Sequence, residues 1–560
     1  MKKFGKVTSL LLSMLAAFSC VACGSGNQSS SSSSSSSGGG GSGEAVEITI
    51  YAGGSSEYQW KKGAAEEEVY KYIEDLYYEE MGIRLKFNVQ FMPQNMKNTI
   101  VTQVTEGNID VVISHVGGGD GLDDWFLGQP TTLYRDLRED FLKYRGLGNM
   151  ENWTWTDGED LTIDALDRVK RLDGQMLGIP SVITPYKFGI LVRKDWMEAC
   201  GYTDDATDTT RTLVNDYEDF EAMALAMKEE YNLNYAVSGA IFEVEKTGLL
   251  GAYGLDAGYY SMTKMQDENG NDIIDYGGQI NPAYAEVLEV ESRWVQNGVL
   301  AKSPDAIKVT ECEEQFIAQS TGIFLQNGTI EHLIEVARAC KAQNPDAEFT
   351  VLSGLTKNET STAKGNQRNA VGTFMASITA NTPDYKELLT FLNWVYSNEE
   401  NYNLCRYGQE GVHWIDNGDG TYSYPEGYTY HNKPYSGILT LVENQAISNM
   451  QYKDFTDDEK SWIANVRKPE NYIVNDTVDY LLYINDADLM KTHFAKRKSM
   501  FTYTQGIWDT TKKLWNMETG AVDTALLNEH ADIVSAYRTD ANEYSRAVYS
   551  LYASLKAAKE

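Results

Sequence analysis

The order of strands, helices and glycine-rich loops near the start of this 560-residue chain constrains its fold more than any other feature. Residues 46–51 alternate apolar and polar side chains, which predicts a strand, and Ala-Gly-Gly-Ser-Ser follows. A helical stretch then runs to Met81, where Gly82 predicts a C-cap. Residues 85–91 and 110–114 predict two more strands, the second leading into a run of glycines. This succession is typical of a parallel sheet in an α/β protein, in which ligands bind beyond the carboxyl ends of the strands.

The first 43 residues predict that the protein is exported and works outside the cell. Three lysines precede an apolar run over residues 7–22, and small residues precede Cys23, as in a bacterial lipoprotein signal peptide. The run is shorter than the roughly 20 residues that a membrane-spanning helix needs. A serine- and glycine-rich segment follows, which predicts a flexible tether over residues 23–45. We therefore predict removal of residues 1–22, lipidation of Cys23 with Cys20 as the competing position, and anchoring at the extracellular face of the cell membrane.

The composition bounds the partners and the number of domains. The chain has 81 acidic and 48 basic residues, a formal net charge of −33, so nucleic acids and anionic membrane surfaces repel it. An apolar content of 42% is that of a globular protein. The length exceeds what one core usually holds, yet no second Ser/Gly-rich or Pro-rich linker appears. We therefore expect lobes joined by short hinge strands.

Cysteines and acidic loops do not predict a metal centre or a cofactor. Four well-separated cysteines follow Cys23, and we expect buried free thiols, with a Cys312–Cys340 bridge as the alternative. The run Asp267-x-Asn269-x-Asn271 resembles the start of a calcium loop. Asp272 and Gly278, however, stand where glycine and a bidentate glutamate belong, which favours a plain polar turn. The run that begins at Asp416 predicts a hairpin turn.

Two amphipathic helices are predicted by spacing. Asn215 and Glu218 predict a capping box, with Asn215 as the N-cap. Pro383 is predicted at the first position of a second helix. Apolar side chains recur at helical spacing in both and predict buried stripes. The stripes are Phe220, Met223, Ala224 and Met227, and Leu388, Phe391, Leu392 and Val395.

Several segments in order resemble the extracellular solute-binding proteins of family 1. They are Gly178-Ile-Pro, Gly189-Ile-Leu-Val-Arg-Lys-Asp-Trp and, after a short spacer, Asp216-Tyr-Glu-Asp-Phe-Glu-Ala-Met-Ala. The likeness continues in segments 294–300, 316–324 and 378–384, and it runs in register over about residues 46–415. Tyr407-Gly-Gln-Glu-Gly-Val-His-Trp resembles the subgroup of large lipoproteins associated with oligosaccharide importers.

The chain departs from the family pattern at three places. Val192 stands where tyrosine is usual, and Ser320-Thr321-Gly322 replaces Gly-Lys-Ala. Residues 326–329 lack the tryptophan that sugar-binding members often place near this turn, which argues against simple stacking of a sugar at this wall.

The resemblance implies a fold and a function. The fold would be α/β and periplasmic-binding-protein-like (type II), with two lobes of mixed or parallel sheets flanked by helices and a hinge between them. The expected lobes comprise residues 46–188 with 353–410, and 189–352 with 411–560. The protein would be a monomer that captures an oligosaccharide by hinge closure and delivers it to the permease of an ABC importer. A peptide ligand, a surface polysaccharide-active enzyme and an adhesion module are the alternatives.

We predict a binding protein with no catalytic residues, because no G-x-S-x-G, H-E-x-x-H or P-loop pattern is present. Paired carboxylates are so frequent in this acidic chain that counting them leaves a glycosidase pair open. Aromatic faces stack on sugar C–H faces, and polar groups bind hydroxyls. Such side chains after predicted strands and near the expected crossings between lobes are the ligand-binding candidates. These are Ser55, Ser56, Tyr58, Trp60, His115, Asp120, Trp125, Tyr186, Phe188, Glu243, Glu245, Arg406, His413 and Trp414.

Overall fold

The structure is a computed structural model of the whole chain. It describes residues 45–54, 62–93, 102–115, 133–137, 139–140, 154–157, 161–164, 177–181, 188–255, 262–267, 269–276, 284–304, 307–325, 329–362, 366–369, 374–429, 432–445, 447–448, 450–452, 455–475, 489, 492, 521 and 523–559. The predicted signal peptide and tether, with Cys20 and Cys23, lie outside these ranges.

The strands are numbered in chain order. They are β1 (Val46–Gly54), β2 (Leu85–Pro93), β3 (Val111–His115), β4 (Thr154–Asp157), β5 (Leu161–Asp164), β6 (Ile179–Pro180), β7 (Ile190–Arg193), β8 (Tyr202–Thr203), β9 (Thr212–Leu213), β10 (Val237–Ser238), β11 (Met262–Gln266), β12 (Asp272–Tyr276), β13 (Ile323–Phe324), β14 (Phe349–Leu352), β15 (Asn366–Asn369), β16 (Phe374–Ile378), β17 (Ile415–Asp416), β18 (Thr421–Ser423), β19 (Gln451–Tyr452) and β20 (Tyr472–Asn475).

The α-helices are numbered in the same way. They are α1 (Glu66–Met81), α2 (Lys194–Ala199), α3 (Tyr217–Glu230), α4 (Ile241–Val244), α5 (Leu250–Ala252), α6 (Tyr284–Asn297), α7 (Val309–Ile317), α8 (Ile330–Gln343), α9 (Tyr385–Val395), α10 (Glu399–Tyr407), α11 (Asp457–Val466) and α12 (Thr524–Lys559). A π-helix (Glu245–Leu249) joins α4 to α5, and two 3₁₀ turns lie at Ile438–Thr440 and Pro469–Asn471.

The first sheet has the strand order β2-β1-β3-β16-β6. The strand β1 is parallel to both β2 and β3, as the alternating pattern and the intervening helix predict. The strand β16 is antiparallel to β3 and to β6, so β6 runs in the same direction as β1, β2 and β3. Apolar residues of these strands pack with α1 and α9 into one core, which includes Ile50, Tyr77 and Phe391.

The second sheet has the order β10-β13-β7-β14 and is buried on both faces. Successive side chains of a strand point to opposite faces, and here both faces are apolar. In β7, Ile190 and Val192 join a core with α3 and α6, whereas Leu191 joins a core with α7 and α8. Four consecutive buried residues in β7 are typical of a strand that has helices on both sides.

Separate cores around the two sheets agree with the expected two lobes, whose residue limits stay a prediction. The first core also takes buried side chains from residues 435–442, such as Tyr435 and Leu439. The sequence prediction assigned that segment to the second lobe, so the chain after residue 410 contributes to both sides.

Local sequence signals predict most helix boundaries and miss two by one or two residues. Gly82 is the left-handed C-cap of α1, with φ of 71° and its N–H bonded to the carbonyl of Tyr78. The N-cap of α3 is Asp216 rather than the predicted Asn215, because the Asp216 carboxylate accepts the backbone N–H groups of Glu218 and Asp219. The second helix begins at Tyr385 rather than at Pro383. Both predicted apolar stripes are buried, which confirms their helical spacing.

The long C-terminal helix α12 packs against a hairpin. The hairpin consists of β11 and β12, which pair antiparallel, and contacts join β12 to α12. At its turn, Asp267 accepts backbone N–H groups from Asn269 and Asn271 and both of its oxygens accept the Asn271 side-chain amide. The guanidinium of Arg546, on α12, lies 3.0 Å from the Asp267 Oδ2 atom. We call Asp267, Asn271 and Arg546 the hairpin latch. The polar turn predicted here is confirmed, and so is the hairpin at Asp416.

Cys200, Cys312, Cys340 and Cys405 are free thiols. The last three are buried as expected, whereas Cys200 is half-buried. Within the described ranges, no helix combines the length and apolar character that crossing a membrane requires.

Candidate ligand-binding site

The carboxyl ends of four strands meet at one edge of the first sheet. In the register of the sheet, Gly54 lies beside Pro93, His115 lies beside Phe374, and Pro180 lies beside Met375. Parallel strands place their ends, and the loops that follow, on the same side. The backbone at His115 is therefore brought to the edge where the loop after Gly54 begins.

Most of the predicted binding residues in these loops lie outside the described residues. They are Ser55, Ser56, Tyr58 and Trp60 after β1, Asp120 and Trp125 after β3, and Tyr186 before β7. His115 is the last residue of β3, and its backbone pairs with Phe374. These assignments stay predictions.

The second sheet has a matching edge. The strands β13 and β14 are antiparallel to β7, and β10 is parallel to β13. All three strands therefore end at the edge of the sheet where β7 begins. Two segments of chain join this edge to the edge of the first sheet. The first crossing (residues 181–189) leaves after β6 and enters β7, and the second crossing (residues 353–373) leaves after β14 and enters β16. Both crossings thus connect the two sets of strand ends, which is the arrangement that puts a ligand site between lobes.

Phe188, a predicted site residue, lies in the first crossing and pairs with Thr329, which precedes α8. Its carbonyl accepts the hydroxyl of Ser353 at 3.1 Å, and its N–H donates to the hydroxyl of Tyr472 at 3.2 Å. The backbone of Phe188 is thus fixed by three separate parts of the chain, and its half-buried side chain lies where the lobes join.

Glu245 lies after the carboxyl end of β10, as predicted, but the structure buries its carboxyl group. It is 3% exposed and accepts the hydroxyl of Tyr284 at 2.6 Å. Glu291, two helical turns after Tyr284 on α6, is 0% exposed. Burial, and then the negative charge of Glu245, raise the pKa of Glu291 well above its ordinary value. We call Glu245, Tyr284 and Glu291 the acid cluster. Glu243, two residues before Glu245, lies on α4 and is half-buried.

Sequence reasoning missed Tyr284 and Glu291. A signal was present, because Glu291 lies on the same face of α6 as Val287, Leu288 and Trp294, which are all buried. An acidic residue within an apolar stripe at helical spacing marks a buried carboxyl group that needs a partner.

Three predicted site residues follow each other near the end of α10. The guanidinium of Arg406 lies 2.7 Å from a carboxylate oxygen of Glu443. Trp414 is 4% exposed, donates its indole N–H to the carbonyl of Gly408 at 2.8 Å, and packs on the ring of Tyr407. His413 is buried and accepts the N–H of Gln409 at 3.1 Å; burial lowers its pKa. In this structure His413 and Trp414 therefore serve the local packing.

Several charged side chains act on the pKa of Lys433, and Arg406 is one of them. Lys433 is half-buried, and burial, followed by repulsion from Arg406, lowers its pKa to about 8. Glu443 and Glu331 oppose this shift, and Glu331 lies in the first turn of α8. Lys433 and Glu331, which the sequence analysis did not single out, thus form with Arg406 and Glu443 an ionic group, defined by the charges that act on the pKa of Lys433.

No protein-family model matches the sequence, and no curated protein matches it either. Solved structures do match. An HMO-binding, ABC-transporter-associated solute-binding protein from Bifidobacterium longum infantis is 12% identical over 91% of this chain and 99% of its own, with a TM-score of 0.60. An N-glycan transport solute-binding protein from Streptococcus pneumoniae is 12% identical over 92% and 100%, with a TM-score of 0.55.

An alginate-binding protein, solved without calcium ion, is 14% identical over 90% of this chain and 98% of its own, with a TM-score of 0.58. At such identities the likeness is one of fold. It extends over nearly the whole length of each chain, and it agrees with the two sheets and two crossings described above. The chain has the two-lobed, periplasmic-binding-protein-like fold of the solute-binding proteins.

Proposed function

We propose that this chain is the solute-binding protein of an ABC importer and that it captures an oligosaccharide by closing two lobes around it. The observation that carries the proposal is the end-to-end likeness of fold to solved proteins named for HMO, N-glycan and alginate binding. Each is covered over at least 98% of its own length, so the likeness includes both lobes and the hinge rather than one shared motif.

The geometry suits capture by closure. The strand ends of the two sheets are joined by the two crossings, so a small solute that touches both edges makes its full set of contacts only when the lobes close. A ligand shifts the equilibrium toward the state in which it has more contacts. Phe188 and the ionic group around Arg406 are the described parts of this proposed cleft.

We extend the proposal to the location and to the partners on the basis of the sequence. A lipid on Cys23 and a tether of about 20 residues would give a mean reach of about 25 Å from the extracellular face of the membrane. That reach keeps the closed protein near the importer's permease. The protein would bind its solute without chemical change, which fits neighbours that are named as binding proteins.

A thermal-shift screen tests the proposal. The probes are lacto-N-tetraose, Man5GlcNAc and an alginate trisaccharide, with tri- to pentapeptides as the competing class. A ligand at 100 times its dissociation constant adds about 2.7 kcal/mol to the free energy of unfolding. We expect stabilisation by at least one oligosaccharide. Stabilisation by peptides alone would replace oligosaccharide with peptide, and shortened glycans after incubation would contradict binding without chemistry.

A further inference from the structure

A short segment late in the chain contacts both crossings at the ends that adjoin the second sheet. It contains the end of α11, a 3₁₀ turn and the start of β20. We call residues 465–472 the hinge brace. Neither the strand pattern nor the resemblance pointed to this segment, which lies beyond the matched residues 46–415.

Tyr472 connects the hinge brace to the first crossing. Its hydroxyl donates to the carbonyl of Val466 at 2.6 Å and accepts the N–H of Phe188 at 3.2 Å. Tyr472 is 6% exposed, so these bonds are made out of water and fix the position of the hydroxyl. The Ser353 hydroxyl donates to the carbonyl of Phe188, which ties the two crossings directly to each other.

Two asparagines connect the hinge brace to the second crossing and to the strand before it. The Asn465 side-chain amide donates to the carbonyl of Val351 at 3.0 Å, and Asn471 donates to the carbonyl of Asn465 at 2.8 Å. Gly354 lies so close to Asn471 that a Cβ atom there would be 2.5 Å from the Asn471 Oδ1 atom. With φ of +71°, Gly354 adopts the left-handed backbone that glycine favours. The contact thus requires glycine for two independent reasons.

The second crossing continues along the same segment. The strand β15 pairs in parallel with β20, with Asn366 beside Tyr472. Both crossings are therefore bonded to residues 465–475 beside the second sheet.

We propose that the hinge brace sets the relative orientation of the two lobes, and that Tyr472 is a positioning residue for ligand capture although it is not required to touch the ligand. The inference rests on the proposed function. When the Tyr472 hydroxyl is removed, the crossings lose a shared anchor and the ligand-free protein samples more orientations. Apparent affinity falls in proportion to the fraction of molecules in a binding-competent orientation.

The test compares Tyr472→Phe with Tyr396→Phe. Tyr396 is a matched control, because its buried hydroxyl also donates to backbone carbonyls, those of Thr440 and Val442, but inside the first core. Spin labels at Lys71→Cys on α1 and Lys341→Cys on α8, in a Cys200→Ala background, report the distance between lobes without any ligand. We expect a broader distance distribution for Tyr472→Phe and an unchanged one for Tyr396→Phe.

Calorimetric titration supplies the second measurement, with whichever of lacto-N-tetraose, Man5GlcNAc or the alginate trisaccharide stabilises the wild type. Tyr472→Phe should bind about fivefold more weakly at a temperature well below its melting point, and Ser353→Ala should change affinity in the same direction. Equal distance distributions in Tyr472→Phe and wild type would overturn the proposal even if both bind. If no probe binds the wild type, the proposed function fails, and the distance measurement still decides the role of the brace.

Discussion

The acid cluster and the hairpin latch stabilise a buried carboxyl group in opposite ways. Each contains a carboxyl group that the fold removes from water. At the latch, the Asp267 carboxylate keeps its charge, because amide groups and the Arg546 guanidinium surround it and lower its pKa. In the acid cluster, the side chains that shift the pKa of Glu291 do not include a cation. Burial and the negative charge of Glu245 raise this pKa.

The two regions depend on pH in opposite directions. For Glu291 the pKa is higher in the folded protein than the ordinary 4.5, so its contribution to stability is present at low pH and is lost as pH rises toward the folded value. For Asp267 the pKa is lower than the ordinary 3.8, so its contribution is present above that pH and is lost as pH falls through the folded value. One region is stabilised by a proton and the other by fixed donors.

Removal of the Tyr284 hydroxyl should have the largest effect. Tyr284→Phe removes the hydroxyl that donates to Glu245 at 2.6 Å. Loss of a hydrogen bond to a buried carboxylate lowers the free energy of unfolding by about 2–3 kcal/mol. Denaturant unfolding at pH 7 measures this loss. The matched variant next to the hairpin latch is Tyr549→Phe, which removes the hydroxyl that interacts with Asp272 on the same hairpin. It should cost much less, since Tyr549 is half-exposed. Equal losses in the two variants would contradict the distinction between the regions.

The substitution Glu291→Gln should have the next largest effect and the opposite sign at neutral pH. The amide keeps the shape of the side chain and carries no charge at any pH, so the folded state no longer needs to hold a proton. We expect Glu291→Gln to have a higher free energy of unfolding than the wild type at pH 7, because folding no longer requires the uptake of a proton.

Unfolding curves between pH 4.5 and pH 8 show whether Glu291 is the source. Wild-type stability should fall across this range more steeply than that of Glu291→Gln. Parallel curves would show that Glu291 does not hold a proton in the folded protein.

At the latch, Arg546→Ala should have a small effect, because Arg546 is 42% exposed and Asp267 retains its amide donors. We expect the melting temperature to fall by about 1 °C, and we expect Arg546→Lys to restore part of that loss. A fall as large as that of Tyr284→Phe would mean that the guanidinium, rather than the amides, compensates the Asp267 charge.

Sequence patterns predicted the features that depend on residues close together in the chain, such as helix caps and apolar stripes. The stripe from Phe220 to Met227 and the cap at Gly82 depend on positions a few residues apart, so both could be read directly. The N-cap at Asp216 was missed by one residue because both Asn and Asp are good caps, and only backbone geometry selects between neighbours.

The acid cluster and the hinge brace could not be predicted in this way. Tyr284 is 39 residues from Glu245, and Tyr472 is 284 residues from Phe188. No periodicity links such positions, since tertiary packing alone brings them together. A buried acid on the apolar face of α6 was visible in the sequence, but its partner was not.

Calcium should have the smallest effect, and the latch is where the comparison with the acid cluster is sharpest. The run that begins at Asp267 resembles a calcium loop, yet its carboxylate oxygens already accept bonds from Asn269, Asn271 and Arg546. A calcium ion would have to displace these donors. We expect melting temperatures in EDTA and in about 10 mM calcium, roughly ten times the weakest dissociation constants of extracellular sites, to agree within about 1 °C. In Arg546→Ala one donor is gone, so a calcium-dependent rise confined to that variant would show that the arginine occupies the cation's place. A rise in the wild type would instead show that the loop binds calcium despite its arginine.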